Sequence, residues 1–275
     1  MDTERTLVPA VRDALAAACP SLREAGPADA VAGVMPSFAA SPAGTDEASA
    51  LLRAAASAGL SVVPRGAGTG LSWGRPPSSC DLVVDMRSMN RVIEHAAGDL
   101  VAQVQAGATI GQLNAVLAGA GQQLALDAPQ DATVGGVIAT GTTGPRRFRY
   151  GAPRDLLIGV TAVRADGVVA RSGGKVVKNV AGYDLGKLLA GSQGTLGLIT
   201  EATFRLHPVP AAVTWVTADA LSISNVVVAL STTFGRVPTS PLESPWFKKV
   251  GFVPSKTIVP FVTFHVPALV PENCS

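Results

Sequence analysis

Four runs of this sequence combine residue types that do chemistry. The first is Val62-Val63-Pro64-Arg65-Gly66-Ala67-Gly68-Thr69-Gly70, an apolar β-branched stretch followed by glycines at alternate positions. Glycine leaves the backbone bare, and successive uncovered N–H groups make a nest that suits phosphate oxygens. The Arg65 charge and the Thr69 hydroxyl would add to it. The run is not a Rossmann fingerprint, because Leu71 stands where the third glycine would be, and it is not a P-loop, because no Gly-Lys-Ser/Thr follows. A tight structural turn fits the run equally well.

The second run, from Asp131 to Gly144, has small side chains, several hydroxyls and four glycines. A backbone this bare can lie flat against a ligand. The interleaved Val134, Val137 and Ile138 favour an ordered, half-buried segment over a flexible loop. The third, Arg146-Arg147-Phe148-Arg149-Tyr150-Gly151, could bind a carboxylate or a phosphate. Its arginines read better as solvated or facing a partner. The fourth runs from Gly173 to Leu185 and on through Ala190 to Thr200.

Taken in order, the motifs are Pro-Arg-Gly-x-Gly-Thr at 64–69, Thr-x-Gly-Gly at 133–136, Gly-Tyr-Asp-Leu at 182–185 and Gly-Ser-x-Gly-Thr-Leu-Gly-x-Ile-Thr at 191–200. Together they resemble the flavin-binding domain of the vanillyl-alcohol oxidase and p-cresol methylhydroxylase type, over about residues 30–210. Within that group, the runs 144–151 and 173–188 are most similar to the FAD-binding subunits of bacterial glycolate oxidases.

The resemblance implies an α+β fold of two small subdomains with FAD stretched between them. It implies that Arg65, Gly66, Ala67, Gly68, Thr69 and Gly70 wrap the pyrophosphate. Thr133, Gly135, Gly136 and Ala139 would line a second wall. Gly194, Thr195, Gly197 and Ile199 would meet the adenosine or isoalloxazine side through backbone atoms. Some relatives attach the flavin through a histidine in the first glycine loop. Here Ala67 and Gly68 stand there, and the histidines are His95, His207 and His265, which implies non-covalent FAD. These three scattered histidines support no metal site and read as surface residues.

The activity implied is that of a flavoprotein subunit taking hydride from a 2-hydroxy acid such as glycolate. No catalytic base can be named. Lys175, Lys178 and Tyr183 are nearby polar candidates that read equally well as structural or phosphate-contacting. The implied partners are a second flavin subunit and an iron–sulfur subunit. The alternative is a non-catalytic FAD-holding or scaffold subunit, with catalysis in a sister subunit. Relatives continue into a cap domain over the flavin. Residues 211–275, broken by Pro238, Pro241, Pro245, Pro254, Pro260, Pro267 and Pro271, do not match one, so the cap is expected to be missing or truncated.

The elements that must position these runs can be read from periodicity and caps. Residues 4–18 suit a helix ended by Pro20. Thr45, followed by Asp46 and Glu47, makes an N-cap for a helix stopping at Gly59. Leu60–Pro64, Leu82–Asp85, Leu100–Gln105, Leu156–Arg164 and Leu196–Leu206 read as strands. Thr109 caps a helix through Leu117. Asp166-Gly167 marks a hairpin. Asp184–Leu189 suits a short helix. Residues 25–44 look irregular, and Trp246 to Val266 suits β-like segments. The expected organisation is an N-terminal helical segment at 1–29, the FAD-binding domain at 30–210 and a divergent or truncated region at 211–275.

Composition narrows the class. The 275 residues carry 22 Lys+Arg against 20 Asp+Glu, a net of +2, so there is no electrostatic case for nucleic acid. Hydrophobic residues make up 47%, enough to bury a core. Cys19, Cys80 and Cys274 are far apart, with no C-x-x-C for an iron–sulfur cluster or zinc. Reduced thiols, an N-terminus without an apolar signal region and the lack of a long apolar run point to a cytoplasmic protein, membrane-associated only through partner subunits.

Overall fold

The computed structural model describes residues 9–174, 184–211, 213–216 and 264–267. The chain divides into two compact units, Met1–Val209 and Pro210–Ser275.

In the first unit, the helix α1 (Pro9–Ala18) precedes the short strands β1 (Arg23–Glu24) and β2 (Phe38–Ala40). Helix α2 (Thr45–Ser57) leads into β3 (Val62–Arg65), and β4 (Leu82–Asp85) completes a sheet ordered β1-β2-β4-β3. Strands β2, β4 and β3 are parallel. β4 is central and buried along its whole length, as parallel strands covered on both faces are. β3 is an edge strand, which is why Pro64 is tolerated without a backbone N–H. Helix α2 lays Leu51, Leu52 and Ala55 on this sheet, together with Leu15 and Cys19 near the end of α1.

A second, antiparallel sheet follows, ordered β5-β6-β10-β8-β9. Its strands are β5 (Val92–Ala96), β6 (Val101–Gln105), β8 (Leu157–Val163), β9 (Val169–Gly173) and β10 (Leu198–Arg205). The two-residue strand β7 (Gln122–Gln123) pairs instead with β11 (His207–Pro208). The Asp166-Gly167 turn joins β8 to β9, with Gly167 at φ +79°. Helices α3 (Ile110–Ala118) and α4 (Val134–Thr140) pack Ile110, Leu113, Leu117, Val134 and Ile138 into a core with Val104, Val160, Ala202 and Phe204. Hydrogen bonds tie α2 to the second sheet: Ser49 donates to the Gly167 carbonyl at 2.6 Å, Arg53 to the same carbonyl at 3.5 Å, and Thr45 to Thr200 at 3.0 Å.

Most expected elements are present, within three residues at their ends; residues 4–8 of the first expected helix lie outside the described residues, and the short helix expected at 184–189 is a 3-10 turn over Leu185–Leu189. The N-cap of α2 is Gly44 rather than Thr45. The region 25–44 contains β2, and the second glycine run contains α4; neither is expected from the sequence. In the second unit, β12 (Val213–Val216) pairs antiparallel with β13 (Phe264–Pro267). The rest of the expected 246–266 segment lies outside the described residues.

Candidate ligand cleft

The parallel strand β3 ends at Arg65, and the chain then turns through the first glycine run. Gly68 takes φ +84°, a conformation that suits glycine. Among the described residues, nothing accepts the amides of Ala67, Gly68, Thr69 or Gly70. The next amides along the chain are engaged within the loop, Leu71 with the Gly68 carbonyl at 3.3 Å and Trp73 with the Gly70 carbonyl at 3.1 Å. Ala67, Gly68 and Thr69 are exposed, so these amides are open to solvent or to a ligand, and phosphate oxygens suit such a nest.

The second wall is α4. Thr133 is its N-cap, accepting the Gly136 amide at 3.4 Å, and a bridge from Thr133 to Thr109 holds that turn. The α4 amides are not free for a ligand: Val134 donates to the Ala108 carbonyl and Gly135 to the Ala106 carbonyl, both at 2.8 Å. The value of Gly135 there is its missing side chain, since a Cβ would lie 2.9 Å from that of Ala106. The third wall is the turn before β10. It is pinned to α4 by Gln193 N–H to the Ala139 carbonyl at 2.8 Å and Gly191 N–H to the Ile138 carbonyl at 2.9 Å.

These walls enclose one open cleft with about 900 Å³ of empty space, its mouth included. Of the residues expected at a cofactor site, Arg65, Gly66, Ala67, Gly68, Thr69, Gly70, Thr133, Gly135, Gly136, Ala139, Gly194, Gly197 and Ile199 line this cleft. Thr195 is not among the lining residues, and its hydroxyl donates to the Ser192 carbonyl at 2.7 Å, closing its own turn.

The side chain of Arg65 has a different task from the one its sequence suggests. Its guanidinium is buried, donating to Asp29 Oδ1 at 2.9 Å, Asp85 Oδ2 at 3.1 Å and the Ala28 carbonyl at 2.9 Å. Arg23 and Arg87 extend the row on either side, at 2.6 Å from Asp29 and Asp85 respectively. Hydrogen bonds from Arg23 hold the Asp29 carboxyl well below the usual carboxylate range, despite its burial. Burial by itself would raise Asp85, but the Arg87 and Arg65 hydrogen bonds outweigh it and leave it lowered. Arg65 is therefore a strut under the start of the loop, with its charge already answered.

Several lining residues carry no expectation from the sequence: Trp73, Thr140, Thr142 and Gln193 among them. Thr140 and Thr142 lie inside the second glycine run, with hydroxyls 2.6 Å apart, and their type and place were a usable signal. Asp29 and Asp85 had none.

The arginine run stands apart from the cleft lining. Arg146 turns inward, its amide donating to Asp127 at 2.6 Å and its guanidinium to Gln123. Arg147 and Arg149 are exposed and lie over Phe148 and Tyr150, at 5.2 and 5.3 Å. His207 is half-buried rather than a surface residue, edge-on to Tyr150 at 4.9 Å, and burial with the nearby Arg205, Arg146 and Arg149 lowers its pKa. His95 is likewise half-buried, 2.9 Å from Gln122. No group of three or more metal-binding side chains occurs among the described residues. Lys175, Lys178 and Tyr183 lie outside the described residues.

Comparison with known proteins agrees with this geometry. A profile of the FAD binding domain matches residues 36–173. The chain is 38% identical to glycolate oxidase subunit GlcD of Bacillus subtilis over 183 residues, covering 64% of this chain and 38% of that protein. It is 36% identical to glycolate oxidase subunit GlcE of Escherichia coli over 154 residues, 55% of this chain and 43% of that one. It is 40% identical to a D-lactate dehydrogenase of Archaeoglobus fulgidus over 172 residues, 61% of this chain and 38% of that one. Among solved structures, an alkyldihydroxyacetonephosphate synthase superposes with a TM-score of 0.62 at 27% identity, covering 72% of this chain and 37% of that one. The chain thus spans less than half the length of these relatives.

Proposed function

This chain belongs to the FAD binding domain family, and from that premise we propose that its cleft holds FAD non-covalently for the oxidation of a 2-hydroxy acid such as glycolate. The observation that carries the reading is the row of amides from Ala67 to Gly70 that no described residue accepts, which would hold the pyrophosphate. Gly66, Thr133, Gly135, Gly136 and Ala139 would shape the second wall through bare backbone and small side chains, and Gly194, Gly197 and Ile199 the third. Arg65 would serve by holding the loop in place. Among the described lining residues there is no His, Cys or Tyr, which supports a flavin held without a covalent bond.

Bound there, FAD would supply the acceptor for a hydride leaving the carbon that bears the hydroxyl, while the hydroxyl proton goes to a base. The chain's part is to bind and orient it. Residues 30–210 would form the binding domain, with 211–275 a short C-terminal region. The relatives named as glycolate oxidase subunits support a place in a complex. In that reading a second flavin subunit and an iron–sulfur subunit receive the electrons. Among the described residues no helix is long and apolar enough to cross a membrane. A cytoplasmic location, with membrane association through the partners, belongs to the same proposal.

The test is anaerobic titration of the FAD-loaded protein with glycolate and D-lactate, followed at the flavin absorbance, with turnover read through an artificial electron acceptor. Bleaching by either acid, with turnover, supports the reading. A loaded protein that neither acid bleaches refutes the substrate class, and a folded protein that takes up no FAD refutes the whole.

A further inference from the structure

Trp73 belongs to none of the recognised motifs, yet it lines the cleft. It is 57% exposed. Its amide bonds back to the Gly70 carbonyl, so the chain turns there and returns the indole to the glycine loop. The indole atoms Cδ2 and Cε3 lie 3.9 Å from where a Cβ on Gly70 would be, and Thr140 Cγ2 lies 2.9 Å from the same point. Gly70 is thus a bare spacer between α4 and the indole. Among the described lining residues Trp73 is the one aromatic side chain, and its neighbours in the loop are Gly, Ala, Thr and Leu.

We propose that Trp73 is a stacking platform for a planar ring of the bound dinucleotide. The loop amides can hold phosphates, but the loop offers no other flat apolar face on which a heterocycle can lie. An aromatic side chain supplies that face to any planar base, without hydrogen-bond readout. The ring is either the adenine or the isoalloxazine. The proposal rests on the FAD reading above, and a different result would defeat each.

The experiment is FAD titration of the apoprotein, read by flavin fluorescence, for the wild type, Trp73→Ala and Trp73→Phe, with thermal melts of each. ADP and FMN serve as competitors. Removing a stacking aromatic weakens base binding by roughly tenfold or more. Trp73→Ala is therefore expected to bind FAD at least about tenfold more weakly, with an unchanged melt because the side chain is exposed. Trp73→Phe should retain most of the affinity. The competitor whose affinity falls in Trp73→Ala identifies the ring, ADP for adenine and FMN for isoalloxazine. Indole emission quenched by FAD in the wild type should lose its largest quenched component in Trp73→Phe, leaving that of Trp215 and Trp246. If Trp73→Ala binds FAD, ADP and FMN as the wild type does, the platform is refuted while the FAD reading stands. If the folded wild type binds no FAD, the FAD reading falls, and the platform with it.

Discussion

Gly66 and Thr133 touch so closely that a methyl group on Gly66 would lie 2.0 Å from the Thr133 hydroxyl oxygen. One residue opens the first glycine loop and the other caps α4, so this contact sets the spacing of two cleft walls. Thr133 cannot retreat, because its bridge to Thr109 and the Gly135 hydrogen bond to Ala106 hold the turn.

Gly66→Ala should therefore push the loop away from α4. Overpacking of this kind costs about 1–3 kcal/mol. The urea midpoint should fall accordingly, and FAD affinity should fall with it. Gly74→Ala, where a Cβ meets nothing within 4 Å, is the matched control and should change neither. Equal behaviour of the two variants would show that the loop spacing is not set at this contact.

Arg65→Met should be among the most damaging single changes in the first unit. Asp29 and Asp85 are both buried, and removing the cation between them strands charge in the interior, at a cost of about 3–5 kcal/mol. Arg87→Met, whose side chain is 60% exposed, should cost less, because Asp85 keeps its Arg65 hydrogen bond. Urea unfolding of the two variants side by side measures the difference.

The same row predicts acid sensitivity. Asp29 and Asp85 are both held below the ordinary carboxylate value of 3.8. The unfolded chain then takes up protons before the folded one does. The stabilisation is whole above that value and is lost as pH falls below it. Unfolding free energy measured between pH 5 and pH 2.5 should drop. Asp29→Asn, less stable at neutral pH, should show a shallower drop.

Acid precipitation of the FAD-loaded protein should leave the yellow colour in the supernatant. The described lining residues offer no His, Cys or Tyr to bond the flavin. Colour retained in the pellet would require an attachment point beyond them.

The helix α2 was legible from its first-turn acids and terminal Gly59, and the β8–β9 hairpin from Asp166-Gly167, because caps and turns are local chemistry. The strand β2 was not legible, since three residues, Phe38–Ala40, are too few to show a period and are defined by their partner β4. Nor was α4, whose Gly-Gly start has poor helix propensity; it is helical because Val134, Val137 and Ile138 are buried in the second core.

The sequence by itself determined where the backbone is bare, in the runs 66–70, 135–136 and 194–197, and so what kind of surface the cleft presents. It could not assign the Arg65 charge, because the answering carboxylates lie 36 residues before it and 20 after it. Sequence spacing carries no information about such distances in space. Only the tertiary structure decided that Arg65 faces inward, that the α4 amides are already engaged, and that Trp73 returns to the cleft. The first two depend on contacts between segments that meet only after folding, and the third on the local turn from Trp73 to Gly70 facing α4 across the cleft.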